Sequence, residues 1–197
     1  MTRGKSAVTD KKSRIFTKES ILTIPNLLSF VRLAMIPVIA WAYLGKNDPG
    51  LTTLLLVLSG VTDVVDGFIA RRFHMISELG KALDPVADKL TQGVMLICLA
   101  TRRRILFIPV ALLAIKEIFT GLCGVVVIKR TGRVLGARWH GKVTTILLYS
   151  MMIAFVLWQD MPLWASNAMI AACAAMMLLS CVLYAQRNMK ALREEKV

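Results

Sequence analysis

Four acidic residues inside an otherwise apolar stretch are the clearest chemical feature of this chain. Asp63 and Asp66 lie in the run D-V-V-D-G-F-I-A-R, and Asp84 and Asp88 lie in the run G-K-A-L-D-P-V-A-D. A carboxylate at the centre of a membrane helix costs about 2.5–3.5 kcal/mol on insertion scales. Four together therefore require a compensating cation or a functional role.

The spacing of these aspartates predicts two acidic helix faces. Asp63 and Asp66 are three residues apart, and Asp84 and Asp88 are four apart, so each pair shares one face of a helix. A tight turn around Ser77–Gly80 would bring the two faces together. Gathered carboxylate oxygens suit hard divalent cations, so we expect two Mg²⁺ or Mn²⁺ ions that together clamp a pyrophosphate.

Small and basic residues beside the carboxylates indicate the kind of ligand. Gly67 and Ala70 leave room next to the helix for a flat or bulky group, and Arg71 supplies a planar cation for a phosphate. The pattern favours a nucleotide diphosphate. The structural alternative, in which the aspartates cap helices or pair with Arg71, Arg72 and Lys89, does not require the small residues.

The whole composition predicts an all-α integral membrane protein. The 197 residues are 56% hydrophobic, and apolar stretches follow one another along the chain. Six transmembrane helices in one domain would put both termini on the same side of the membrane. The predicted spans are 24–44, 51–71, 83–101, 105–128, 143–159 and 163–185.

The two ends of the chain are polar. Residues 1–22 carry several Lys and Arg and no apolar core, so they are predicted to be a basic cytoplasmic or interfacial arm rather than a cleaved signal peptide. Both a short interfacial helix over Ser13–Leu22 and a disordered tail fit this composition. The membrane domain is predicted over 23–190, followed by a polar C-terminal tail at 191–197.

The distribution of basic residues predicts the orientation. Lys and Arg are concentrated in the arm, in 71–89, in 129–142 and in the tail, whereas the opposite side carries only Lys46 and Arg102–Arg104. The positive-inside rule therefore places both termini and the aspartates on the cytoplasmic side. Because basic loops against anionic lipids account for the net charge of +13, membrane lipids and not nucleic acid are the expected partner.

Cysteine and histidine do not suggest a second metal site. The four cysteines are scattered singly through apolar spans, without paired spacing, and are predicted to be small packing residues. His74 and His140 stand alone in stretches interpreted as basic loops.

The acidic motif resembles the signature of the CDP-alcohol phosphatidyltransferases, D-x2-D-G-x2-A-R-x8-G-x3-D-x3-D, at every fixed position. The resemblance implies a six-helix, homodimeric enzyme of the bacterial inner or cell membrane that transfers a phosphatidyl or similar group from a CDP-linked donor to an alcohol and releases CMP. It implies metal binding by Asp63, Asp66, Asp84 and Asp88, with Asp88 also the catalytic base. It implies donor (CDP) binding by Asp63, Asp66, Gly67, Ala70, Arg71 and Gly80.

The first helix suggests which alcohol is used. The segment I-P-N-L-L-S-F-V-R resembles the first-helix start of family members that make phosphatidylglycerophosphate and cardiolipin. Asn26, Ser29 and Arg32 are spaced i, i+3 and i+6, so they could share a broad face toward the active site. Alternatively, Arg32 reaches to the headgroups and Asn26 only starts the helix. The run L-D-P-V-A-D-K around Asp84 is similar to the branch that uses glycerol 3-phosphate.

Two further lysines are predicted to contact the acceptor. At Lys116–Glu117 the glycerophosphate branch is expected to carry arginine, and lysine lacks the bidentate fork that suits a phosphate. Lys142 is predicted at the start of the fifth helix, in a basic loop that topology alone could also explain.

The expected function is transfer of a phosphatidyl group from CDP-diacylglycerol to glycerol 3-phosphate. The alternatives within the family use phosphatidylglycerol, to make cardiolipin, or an inositol phosphate or serine acceptor. A divalent-cation transporter would also place carboxylates in helices, but it would not need Arg71 or the fixed spacing to Gly80.

Overall fold

The computed structural model describes residues 24–72, 78–131 and 139–194, and within them every regular element is helical, as predicted. The basic arm at 1–22 lies outside the described residues. The α-helices are α1 (Ile24–Leu44), α2 (Pro49–Arg72), α3 (Glu78–Arg102), α4 (Phe107–Thr131), α5 (Trp139–Leu157) and α6 (Leu163–Glu194), with a 3-10 turn at Arg104–Leu106.

Four segments of the described chain are long and apolar enough to cross a membrane, and they make this an integral membrane protein. They comprise α1, the 3-10 turn continuing into α4, α5, and most of α6. In α2 the segment Pro49–Asp63 is apolar but shorter, and α3 carries Asp84 and Asp88 along with Lys81 and Lys89. These charges lower the hydropathy of α2 and α3. The six helices are compatible with six membrane crossings, but crossings by α2 and α3 remain a prediction.

The prediction that Gly80 belongs to a turn at Ser77–Gly80 is wrong, because Gly80 is helical. Helix α3 begins at Glu78, five residues before the predicted span, so Gly80 lies in its first turn. A glycine inside a helix costs only about 1 kcal/mol relative to alanine, which the rest of the segment E-L-G-K-A-L can offset. Pro85, further along α3, removes one backbone hydrogen bond without ending the helix.

The chain divides into two compact units, with the boundary inside α3 between Val94 and Met95. In the first unit α1 packs against α2, burying Ile39, Ala42 and Leu56. The connection is tight because Asn47 adopts a left-handed φ of 52°. Asp48 then caps α2 by accepting a hydrogen bond from the Leu51 backbone N–H at 2.9 Å.

In the second unit α6 packs against α4 and α5 around a core that includes Leu148, Met152 and Met177. The guanidinium of Arg103 donates to the backbone carbonyls of Gln159 and Met161, so it anchors the connection between α5 and α6. Arg103 belongs to Arg102–Arg104, which lie on the side predicted to carry few basic residues. Its contact with the α5–α6 connection gives it a structural role. All four cysteines are free thiols.

Candidate active site

The first unit contains the predicted site aspartates. The structure describes the side chains of Asp63, Asp84 and Asp88, and each has a different polar partner. Asp66 lies in α2, but its side chain is outside the described set. Two of the partners come from α1, so the first helix contributes directly to the acidic cluster.

Asp63 on α2 forms an ion pair with Arg32 on α1. The guanidinium Nη1 donates to Asp63 Oδ1, and Arg32 is 1% exposed whereas the Asp63 side chain is 44% exposed. The cation is thus buried between helices, while the carboxylate reaches the edge of the unit. Since a buried arginine requires a counter-charge, this pair orients Asp63 as well as neutralising it.

Asp84 on α3 is held by the neighbouring position on the same face of α1. The Ser29 hydroxyl donates to Asp84 Oδ1, and Ser29 is fully buried. Asn26, one turn earlier, is also fully buried. Asn26, Ser29 and Arg32 are thus all buried on one face of α1. The contacts of Arg32 with Asp63 and of Ser29 with Asp84 join α1 to α2 and α3.

Asp88 on α3 is held from its own helix. The amide Nε2 of Gln92 lies 2.9 Å from both carboxylate oxygens, and Lys89 Nζ lies 3.7 Å from Oδ2. Gln92 is fully buried, and the sequence analysis missed it. Its spacing was a usable signal, because a Gln and an Asp four residues apart on a helix are in hydrogen-bonding reach.

The donor chemistry of this cluster fits a hard divalent cation. The negative charges of Asp84 and Asp88 act on Asp63 unfavourably, and a cation among carboxylate oxygens would relieve that repulsion. Among the described side chains, however, no three acidic, His or Cys groups are close enough to form a metal centre. Since Asp66 is outside that set, the four-aspartate metal site stays a prediction.

The predicted donor-binding residues lie where α2 ends and α3 begins. Gly67, Ala70 and Arg71 are helical near the end of α2, and Gly80 is in the first turn of α3. Their side-chain surroundings fall outside the described part of the chain. Their role in binding CDP therefore remains a prediction.

The two predicted acceptor-binding lysines belong to the second unit. Lys116 on α4 is 7% exposed, and its Nζ donates to Glu117 Oε1 at 2.7 Å. Lys142 on α5 is exposed. Both roles stay predictions.

The interpretation of His140 as a loop residue is wrong. Helix α5 begins at Trp139, and His140 is buried with Nδ1 3.1 Å from the Ser180 hydroxyl. Its ring meets Tyr184 edge-to-face at 4.6 Å between centroids. His140 therefore packs α5 against α6, while His74 lies outside the described residues.

Comparison with known proteins adds to this geometry. The sequence model of the family described as CDP-alcohol phosphatidyltransferase matches residues 22–186. The match includes every aspartate of the cluster and all six helices, with α6 matched as far as residue 186.

Several curated relatives match part of this chain. A cardiolipin synthase (CMP-forming) of Streptomyces coelicolor is 45% identical over 92 residues, covering 44% of this chain and 42% of the relative. CDP-diacylglycerol–glycerol-3-phosphate 3-phosphatidyltransferases of Rickettsia felis and Rickettsia bellii are 38% and 40% identical, each alignment covering 48% of this chain and 53% of the relative. The chain thus spans about half the length of these relatives.

Proposed function

Because this chain belongs to the CDP-alcohol phosphatidyltransferase family, we propose that it is a phosphatidylglycerophosphate synthase, which transfers a phosphatidyl group from CDP-diacylglycerol to glycerol 3-phosphate. One observation carries the proposal. Asp63, Asp84 and Asp88, all fixed positions of the acidic motif, lie in one unit, and each is held by a buried polar side chain. Such support suits residues that must hold their geometry during a reaction.

Donor binding is assigned to the ends of α2 and α3. Asp63, Asp66, Asp84 and Asp88 would hold two Mg²⁺ or Mn²⁺ ions. When bound, these ions neutralise pyrophosphate charge and stabilise the oxygens entering and leaving phosphorus. Gly67, Ala70 and Gly80 leave space for the nucleotide, and Arg71 pairs with phosphate oxygens.

The chemical step is a direct displacement at phosphorus. The acceptor hydroxyl oxygen attacks the phosphorus of the phosphatidyl group, and the bond from that phosphorus to the oxygen of CMP breaks. Asp88 accepts the hydroxyl proton, and CMP leaves with the electron pair. Since a carboxylate is a weak base, the proton moves late in the step, and no covalent enzyme intermediate is needed.

On α1, the proposed acceptor-binding residues are Asn26, Ser29 and Arg32. Glycerol 3-phosphate carries a phosphate, which cationic side chains bind through charge-assisted hydrogen bonds. Arg32 already lies at Asp63, and Asn26 and Ser29 share its buried face. Lys116 and Lys142 are the further acceptor-binding candidates.

A cardiolipin synthase that uses phosphatidylglycerol is the second candidate. The Streptomyces coelicolor relative bears that name and is 45% identical over 92 residues. Both candidates share the donor, the aspartates and the release of CMP, and they differ only in the acceptor.

The proposed setting is the inner or cell membrane of a bacterium. The proposal also includes six membrane crossings and a homodimer. It places both termini and the aspartates on the cytoplasmic side. Six described helices support six crossings, and the distribution of basic residues supports the orientation. The homodimer is inferred from the family resemblance alone. Acyl chains of the donor would then remain in the bilayer while the water-soluble acceptor arrives from the cytoplasm.

Purified protein in detergent is expected to release CMP from CDP-diacylglycerol only when glycerol 3-phosphate is present. Phosphatidylglycerol, an inositol phosphate and serine, each supplied separately with Mg²⁺, are the matched acceptors, and CMP is quantified by chromatography. Release with phosphatidylglycerol alone would assign the chain to cardiolipin synthesis. No release with any acceptor would contradict the proposed transferase.

Removing divalent cations is expected to abolish the reaction. Excess EDTA should lower CMP release to the background rate, and adding back Mg²⁺ or Mn²⁺ should restore it, because the four aspartates repel the pyrophosphate and the single charge of Arg71 does not offset them. Unchanged turnover in excess chelator would rule out the assigned role of the aspartates as metal ligands.

A further inference from the structure

We propose that Gln92 is a positioning residue that fixes the Asp88 carboxylate for the transfer reaction, an inference that rests on the proposed function. The acidic motif ends at Asp88, so Gln92 lies one helical turn beyond it.

The geometry of the contact constrains the whole carboxylate. Gln92 Nε2 lies 2.9 Å from Oδ1 and 2.9 Å from Oδ2 of Asp88. Because both oxygens are at hydrogen-bonding distance from one amide, neither can swing away without losing a contact. Gln92 is 0% exposed, so its own rotamer is held by the surrounding packing.

The carbonyl oxygen of the Gln92 amide also indicates a role at Asp88. Its Oε1 is buried and has no hydrogen-bond partner among the described residues. Exchanging the oxygen and nitrogen would place Oε1 against a carboxylate, which repels it, so Asp88 sets the amide orientation. An unpaired buried carbonyl destabilises the fold, whereas an apolar side chain at this position would not. The chain thus keeps a locally unfavourable group that serves Asp88.

Lys89 constrains Asp88 less than Gln92 does. Its Nζ is 3.7 Å from Oδ2, beyond normal hydrogen-bond distance, and the side chain is 32% exposed. Lys89 therefore adds charge near the carboxylate, while Gln92 fixes its direction.

A fixed carboxylate matters because proton transfer depends on alignment. A general base must be within hydrogen-bond reach of the proton it accepts, and small displacements of a catalytic group are costly in rate. Loss of the Gln92 amide should therefore lower kcat, while binding of CDP-diacylglycerol, which the motif residues before Asp88 mainly supply, should change little.

The test compares Gln92→Met and Gln92→Leu with Thr91→Val. Thr91 is equally buried, but its hydroxyl donates to the Ala87 backbone carbonyl at 2.8 Å and not to Asp88. At saturating Mg²⁺, both Gln92 variants are expected to lower kcat by about 10- to 100-fold, as for other residues that orient metal-site ligands, with the KM for CDP-diacylglycerol unchanged. Their Tm should stay close to that of the wild type, because removal of the unpaired carbonyl offsets the lost hydrogen bonds to Asp88. Thr91→Val should keep the wild-type kcat.

Mn²⁺ affinity, measured by electron paramagnetic resonance, supplies a readout independent of turnover. Both Gln92 variants should bind Mn²⁺ more weakly than the wild type, and Thr91→Val should not. A wild-type kcat in both Gln92 variants would overturn the proposal, as would a kcat that falls only in step with a lower Tm. If the wild type released no CMP with any acceptor, the proposed function would fail. Unchanged Mn²⁺ affinity in the Gln92 variants would then reject positioning of Asp88 separately.

Discussion

Asp88→Asn is expected to lower kcat for CMP release by about 10²- to 10⁴-fold, the usual contribution of a general base. Asparagine has nearly the same shape but cannot accept the hydroxyl proton. Its side-chain oxygen can still accept a hydrogen bond from Gln92, whose amide lies 2.9 Å from the native carboxylate. The Tm should therefore stay close to that of the wild type while turnover is lost.

Asp160→Asn is the matched control for this substitution. Asp160 is exposed in the connection between α5 and α6, so the same change of aspartate to asparagine should leave kcat unaltered. If Asp88→Asn turned over at the wild-type rate in the same assay, Asp88 could not be the catalytic base.

Asp63→Ala is expected to lower the free energy of unfolding by about 3 kcal/mol, the low end of the range for breaking a buried ion pair. The substitution removes a carboxylate that pairs with the 1%-exposed Arg32, and the low end applies because Asp63 itself is 44% exposed. Unfolding by denaturant in detergent measures the loss. The same variant should release no CMP.

The double variant Arg32→Met, Asp63→Ala separates stability from chemistry. Replacing a buried ion pair with apolar side chains is often neutral or stabilising, so most of the lost stability should return. Activity should not return, because a motif carboxylate is still missing. Recovery of CMP release in the double variant would contradict the role of Asp63 as a metal ligand. A fully stable Asp63→Ala would show that the ion pair contributes nothing to the fold.

Local spacing and composition were enough to predict the helical class and the acidic motif. The residue ranges 24–44 and 51–71 agree closely with the helices α1 and α2, because long apolar runs favour continuous helices. The ends of the helices were harder to predict from the sequence. The turn placed at Gly80 and the loop placed at His140 both proved helical, since weak breakers and basic residues near an interface do not by themselves end a helix.

The sequence by itself determined the family, the spacing of the aspartates along α2 and α3, and the apolar character of the helices. Tertiary structure alone decided that Arg32 meets Asp63, 31 residues away, and that Ser29 meets Asp84, 55 residues away. The physical reason is that periodicity states which residues share a helix face, whereas contacts between helices depend on how those faces pack. Gln92 lies between the two cases: its spacing from Asp88 is local, but its burial, which holds the amide on the carboxylate, comes from packing.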